Sequence, residues 1–359
     1  MQVFTDIVVF ILTAYLAFTN SLAGIIETAF NLNEQETTIA EETTSQELKE
    51  LSKTYAKGGD IPQILIDNAT YQKASVVESI PPEKATSTAL DALVNIYCSY
   101  KNGNTLHVTT GTGFFLDTSG VILTNAHVAQ FLLLEDIIGE AQCVIRAGNP
   151  AQTQYTAELL YISPKWIREN ASLLNNPKPQ GTGERDYALL YVTAGVDGKP
   201  MPGTFPALPF DVTLLKRSLV NEEVYAAGYP ADALLANGAD TPLIPKLATT
   251  TVAELMTFGS NYADIFSISG SDIGERGSSG GPIVTKDGDT IGMISTKGDD
   301  TQFGQGTLRA ISISYIDRTI TEETGFSLRQ NLGGNIPYRA RIFKETIVPF
   351  LQLLLEQEL

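Results

Sequence analysis

The sequence predicts an all-β protein of two lobes, each built from about six short strands and each the length of a small barrel. Two observations carry this expectation. From about residue 89, short apolar runs alternate with Gly, Asp and Asn turns at regular intervals: ALVNIYCSY, GTGFFLD, VILTNA, QCVIRAG, YTAELLYIS and YALLYVT. A Pro-rich link, KPMPGTFPALP at 199–209, then interrupts the pattern. It resumes as VYAAGYP, KLATTTVAELMTF, ADIFSISG, GPIVTKDGDTIGMIST and TLRAISISY. Segments with helical periodicity are scarce between these runs, and no strict internal repeat is visible.

Taken in order, the chain opens with 20 uncharged residues between Asp6 and Glu27, strongly apolar from Ile7 to Phe18. Ser21-Leu22-Ala23 then offers a small-x-small pattern. Residues 1–23 therefore read as a secretory signal cleaved after Ala23. No Lys or Arg precedes Lys49, so an uncleaved membrane anchor is the main rival, with a buried helix behind it. The first two readings send the chain out of the cytosol, as a secreted, periplasmic or extracytoplasmic membrane-anchored protein. Residues 24–88 read as an acidic linker or pro-segment, most polar over 31–60, with one short helix around Gln46–Tyr55 and a break at Pro81-Pro82. The first lobe spans 89–198 and the second 199–325. The tail, 326–359, holds FKETIVPFLQLLLEQEL, a helix expected to pack on the body, with Pro349 kinking it or setting its start.

Composition narrows the function. The 359 residues are 43% hydrophobic, enough for two packed lobes. Twenty-four basic against 41 acidic side chains give a net charge of −17, which repels phosphate backbones and argues against nucleic acid as a partner. Cys98 and Cys143 are the two cysteines. With two histidines and no Cys/His cluster a structural zinc site is not expected, and nothing implies a cofactor. The count alone leaves the cysteines open as a disulfide or as two buried thiols.

Three short stretches carry chemistry. In Gly277-Ser278-Ser279-Gly280-Gly281-Pro282, glycines permit a tight turn that exposes a serine and aims backbone N–H groups at a developing oxyanion. Ser279 is the candidate nucleophile, with the N–H groups of Gly277 and Ser279 as the oxyanion hole; a plain flexible Gly/Ser loop is the alternative. Thr124-Asn125-Ala126-His127-Val128 ends an apolar strand with a histidine. A serine hydroxyl needs a base working near neutral pH, and imidazole suits that; a hydrogen-bonded core histidine is the alternative. His107 lies in a turn-like stretch and reads as surface. In Asp186-Tyr187-Ala188-Leu189-Leu190 an acid opens an apolar strand. A buried carboxylate there is costly unless paired, and an imidazole N–H would pair it and fix the tautomer; a turn aspartate is the alternative.

Together the three occur in the order His, Asp, Ser. The joint pattern resembles the chymotrypsin-like (trypsin-like) serine peptidases, and within them most closely the bacterial Deg, or high-temperature-requirement, type. The matching pieces are GTGFFLDTSGVILTNAHV, DYALLYV, VYAAGYP and ERGSSGGPIVTKDGDTIGMIST, and the resemblance covers roughly 89–320. It implies two six-stranded antiparallel β-barrels with His127, Asp186 and Ser279 in the cleft between them, acting as an endopeptidase on polypeptide substrates through an acyl-enzyme. The Deg type usually carries a PDZ module after the protease, and only about 40 residues follow the second lobe here, too few for one. The residue before the nucleophile is Ser278, where trypsin-like zymogens have an aspartate, so activation by that residue's ion pair with a new N-terminus is not expected.

The resemblance also implies that Ile294 to Gly298, and in particular Ser295, Thr296 and Lys297, bind an extended substrate by β-pairing. It places Ile273 at the base of the specificity pocket, with Asp272 one residue away, and Arg276 beside it; an apolar base favours aliphatic side chains before the cut. It puts Cys98 on the first strand and Cys143 on the fourth strand of the first lobe, adjacent in a closed barrel and so bridged by a disulfide. Two readings from other classes remain in view. One is a catalytically inactive fold of this type used as a binding module. The other is an acyl hydrolase acting on non-peptide esters, which the absence of a G-x-S-x-G elbow disfavours.

Overall fold

Twelve strands form two closed antiparallel barrels. The first contains β1 (Leu93–Asn102), β2 (Thr105–Phe115), β3 (Val121–Thr124), β4 (Gln142–Ala147), β5 (Gln152–Ile162) and β6 (Ala188–Gly195). The second contains β7 (Glu223–Gly228), β8 (Lys246–Met256), β9 (Ile265–Ile268), β10 (Pro282–Thr285), β11 (Thr290–Lys297) and β12 (Leu308–Ser312). The computed structural model describes residues 82–359 apart from 103–104, 136, 138–140, 174–182, 239–240, 260, 270–272, 275, 298–307 and 357–359. The expected signal or anchor segment, and the acidic segment up to residue 81, lie outside the described residues. Among the described residues no helix is long and apolar enough to cross a membrane.

Both barrels have one strand order: first, second, third, sixth, fifth, fourth, closing back on the first. The repeat is therefore one of topology, carried by apolar alternation without sequence identity. Alternation also explains how the barrels join. Successive side chains on a strand face opposite ways, and here each way leads to a different core. On β3, Ile122 enters a core belonging to the first barrel, while Val121 and Leu123 enter a layer shared with the second barrel. On β7, Val224 and Ala226 fill the second barrel's own core, while Tyr225 and Ala227 meet that shared layer. This is why β3 is buried along its whole length.

Cys98 and Cys143 stand directly opposite each other in the β1–β4 pairing and are joined by a disulfide. The bond clips the seam at which the first barrel closes.

The helices are more numerous than the sequence suggests. α1 (Pro82–Asp91), α2 (Ala126–Ala129), α3 (Pro164–Asn170) and α4 (Asp232–Asn237) lead into or connect strands. Four more follow β12: α5 (Ile313–Thr324), α6 (Leu328–Asn331), α7 (Ile336–Thr346) and α8 (Val348–Glu356). The run TLRAISISY, expected as strand throughout, turns helical at Ile313 because the Ser312 side chain caps the helix by accepting from the Tyr315 N–H. Gly325, in the left-handed region, ends α5, and a capping box of Ser327 and Gln330 opens α6. Pro349 falls in the first turn of α8, where it sets a helix start without a kink. The tail packs on the first barrel: Lys344 of α7 pairs with Glu158 of β5, and Gln352 of α8 donates to the Leu133 carbonyl.

Candidate active site

Strand pairing brings His127 and Asp186 together. β3 ends at Thr124 and β6 begins at Ala188, and these two residues are register partners. The chain leaving β3 and the chain entering β6 therefore meet at one end of the barrel. Asn125 turns the chain into α2, and its side-chain amide donates to the Asp186 carbonyl at 2.9 Å. His127 is thereby presented to the Asp186 carboxylate twice. Its backbone N–H donates to Oδ1 at 2.9 Å and its Nδ1 meets Oδ2 at 2.8 Å. An ionised carboxylate only accepts, so Nδ1 carries the proton and Nε2 is left as the acceptor.

Asp186 is 4% exposed, and ionising it there is affordable only because it is so well paired. Its third bond comes from the Ser295 hydroxyl, which donates to Oδ2 at 2.9 Å. Burial pushes the Asp186 carboxyl up, but the adjacent His127 and these hydrogen bonds outweigh it and hold the group below its ordinary value. For His127, burial pushes the imidazole down, and the charge and hydrogen bond of Asp186 prevail and raise it above the ordinary histidine value.

The turn that delivers Asp186 is braced by α5. Arg185 has a positive φ of 57°. Its N–H donates to the Tyr315 hydroxyl at 3.3 Å, and its guanidinium pairs with Glu322 at 2.9 Å and Glu323 at 3.2 Å. On the other side of Asp186, the Tyr187 hydroxyl shares a 2.8 Å hydrogen bond with Thr319. Both neighbours of the carboxylate are thus tied to one helix.

Ser279 sits in the loop before β10, contributed by the second barrel. Its hydroxyl donates to the Ser295 carbonyl at 3.1 Å. Ser295 therefore touches both Asp186, through its hydroxyl, and Ser279, through its carbonyl. The loop backbone is closely held. The Arg276 carbonyl accepts from the Ala231 N–H at 2.7 Å, and the Ser278 carbonyl from the Gly281 N–H at 3.0 Å. In a trans peptide the N–H points away from the carbonyl of the same unit. Fixing these two carbonyls therefore orients the N–H groups of Gly277 and Ser279, and neither has a partner among the described residues. Gly277 has a φ of 94°, and a Cβ there would lie 2.6 Å from the Tyr229 carbonyl oxygen. Only glycine fits that position.

A family model of the trypsin-like peptidase domain matches residues 111–293, more than half of the chain. The chain belongs to the trypsin-like peptidase family. No curated protein matches its sequence. Among solved structures, the active form of the Rv3671c protease from M. tuberculosis is similar to this trypsin-like peptidase domain at 18% identity. The match covers 72% of this chain and 93% of that chain, with a TM-score of 0.42. The two barrels and C-terminal helices of this peptidase domain are the chymotrypsin-like fold expected from the sequence.

Within this trypsin-like peptidase domain, His127, Asp186, Ser279, Gly277 and Ser295 come together at one place. Ser295 takes a position the sequence reading did not give it, as a donor to the carboxylate. Thr296 and Lys297 continue β11, with side chains outside the described residues. Arg276 is exposed and pairs with Asp232 at 2.7 Å. Ile273, the expected pocket base, is 0% exposed and belongs to the second barrel's core cluster, which also holds Phe266 and Ile283. Asp272 lies outside the described residues. His107 lies exposed on β2, not in a turn, and stacks on Tyr100 with ring centroids 5.0 Å apart. Sequence reasoning missed Thr112, Asn125 and the α5 brace. Asn125 was within reach, since it immediately precedes the helix bearing His127.

Proposed function

We propose that this peptidase domain is a serine endopeptidase in which His127, Asp186 and Ser279 form the catalytic triad. The observation that carries the reading is the link through Ser295, which bonds the Asp186 carboxylate with its hydroxyl and the Ser279 hydroxyl with its carbonyl. For reaction the Ser279 hydroxyl has to leave that carbonyl and turn to His127 Nε2, the ring nitrogen that Asp186 does not hold. Ser279 Oγ then attacks the scissile carbonyl as Nε2 takes its proton. The N–H groups of Gly277 and Ser279 stabilise the oxyanion, and Asp186 holds the imidazole and its positive charge. The imidazolium returns the proton to the departing amine, and water releases the acyl group by the same path.

The substrate binds as an added strand on β11. Pairing of β10 with β11 ends at Pro282↔Met293, Gly280 and Gly281 carry it on to both backbone groups of Ile294, and past Ile294 the β11 edge facing away from β12 has no strand partner among the described residues. The Deg-type resemblance supports a polypeptide substrate for this edge. Export, either secreted or tethered through residues 1–23, is supported by the apolar run before Phe18 and by the Cys98–Cys143 disulfide, a bond favoured in oxidising compartments. Casein turnover by the wild type, Ser279→Ala and His127→Ala tests the reading. Hydrolysis by the wild type and loss in both variants is expected, and wild-type-like turnover by Ser279→Ala would end it.

A further inference from the structure

We propose that Thr112 is a positioning residue of this site: a hydroxyl from the first barrel that sets the oxyanion-binding backbone of the second. The proposal rests on the serine-peptidase reading above. Thr112 is 0% exposed, and every polar group it has is engaged. Its hydroxyl donates to the Gly277 carbonyl at 2.6 Å and accepts from the Tyr229 N–H at 2.9 Å. Its N–H donates to the Ser279 carbonyl at 2.8 Å, and its carbonyl accepts from the Thr124 hydroxyl at 2.7 Å.

Four successive carbonyls, from Arg276 to Ser279, are anchored, and Thr112 holds two of them. One is the Gly277 carbonyl, whose peptide unit lies between the two units that bear the oxyanion donors. That middle unit joins the other two, so a shift of its position would displace the Cα atoms that carry both N–H groups. Through Tyr229 the same hydroxyl steadies the segment whose Ala231 N–H fixes the Arg276 carbonyl. Thr112 therefore bears on Gly277 from both sides, and it does so across the junction that separates Ser279 from His127. The approach is close: a Cβ on Gly280 would lie 1.9 Å from the Thr112 carbonyl oxygen. A valine has the shape of threonine without the hydroxyl. It would leave the Gly277 carbonyl and the Tyr229 N–H buried without that partner, and the loop would relax to pair them elsewhere.

The test compares the wild type, Thr112→Val and Thr112→Ser on a fluorogenic peptide. The affinity of a peptide aldehyde, whose adduct with the serine carries an oxyanion, is measured alongside. Misplacing the donors lowers kcat about 100-fold for Thr112→Val and weakens aldehyde binding in proportion. KM barely moves, and Thr112→Ser, which keeps the hydroxyl, recovers most of kcat. If Thr112→Val does not fold, Thr112→Ala makes the same comparison with no branched side chain to place. Equal kcat in wild type and Thr112→Val overturns the proposal alone. So does an equal fall in the valine and serine variants, or a fall in kcat with unchanged aldehyde affinity. A wild type that neither hydrolyses peptide nor reacts with fluorophosphonate overturns the peptidase reading and this proposal with it.

Discussion

Replacing Ser295 by alanine removes one of the three hydrogen bonds that the buried Asp186 carboxylate accepts, and leaves both bonds from His127 in place. Ser295 is 3% exposed, so the lost hydroxyl is not freely replaced by solvent. A hydrogen bond to a charged group contributes about 1.5–3 kcal/mol, and the variant should lose about that much stability at neutral pH. The pH dependence separates this cause from packing. Asp186 lies below its ordinary value of 3.8, so its ionised form contributes stability that is present above that value and lost as pH falls through the folded-state value. Without the hydroxyl the folded-state value rises, and the loss of stability begins at a higher pH. The difference between wild type and Ser295→Ala should be full at about pH 7 and shrink as Asp186 is protonated in both proteins. Urea denaturation across the acid range measures it. A difference that does not change with pH would refute the argument, because it would show that the hydroxyl serves packing and not the carboxylate.

Other consequences follow from the same geometry. The disulfide joins residues 45 apart, so the Cys98→Ala/Cys143→Ala protein should be less stable by about 4 kcal/mol on a chain-entropy basis, measured by denaturation of both forms. Asp186→Asn should lower kcat about 10⁴-fold, by analogy with the general behaviour of such triads. The same change removes the charge that raises His127, so the acidic limb of kcat/KM, which reports the imidazole losing its proton, should move to lower pH. His107→Ala should leave peptide turnover unchanged, since that ring stacks on Tyr100 at the surface.

The residues of the site were legible in unequal measure, for physical reasons. His127, Asp186 and Ser279 stood out because each breaks the pattern around it: a rare histidine after an apolar strand, a carboxylate opening another, a serine among glycines. Alternation likewise gave the strands, because each strand feeds two cores. It could not tell where TLRAISISY stops being a strand, since the side chains of α5 near Ser312 are buried too and the decision falls to one capping hydroxyl. Thr112 was illegible. On β2 it reads as an ordinary strand threonine, and its hydrogen bonds to Gly277, Tyr229 and Ser279 reach residues more than 100 positions away. For Ile273 the limit is related: counting back from the nucleophile gives a position but not the direction of a side chain, and this one belongs to the second barrel's core cluster.

The proposed triad makes Ser279 a nucleophile activated by His127. It is tested most directly by treating the full chain with a fluorophosphonate and locating the adduct by mass spectrometry. One adduct is expected, on Ser279, forming faster as pH rises through the ionisation of His127 and absent from Ser279→Ala and His127→Ala. An adduct elsewhere, or labelling that persists in Ser279→Ala, would contradict it.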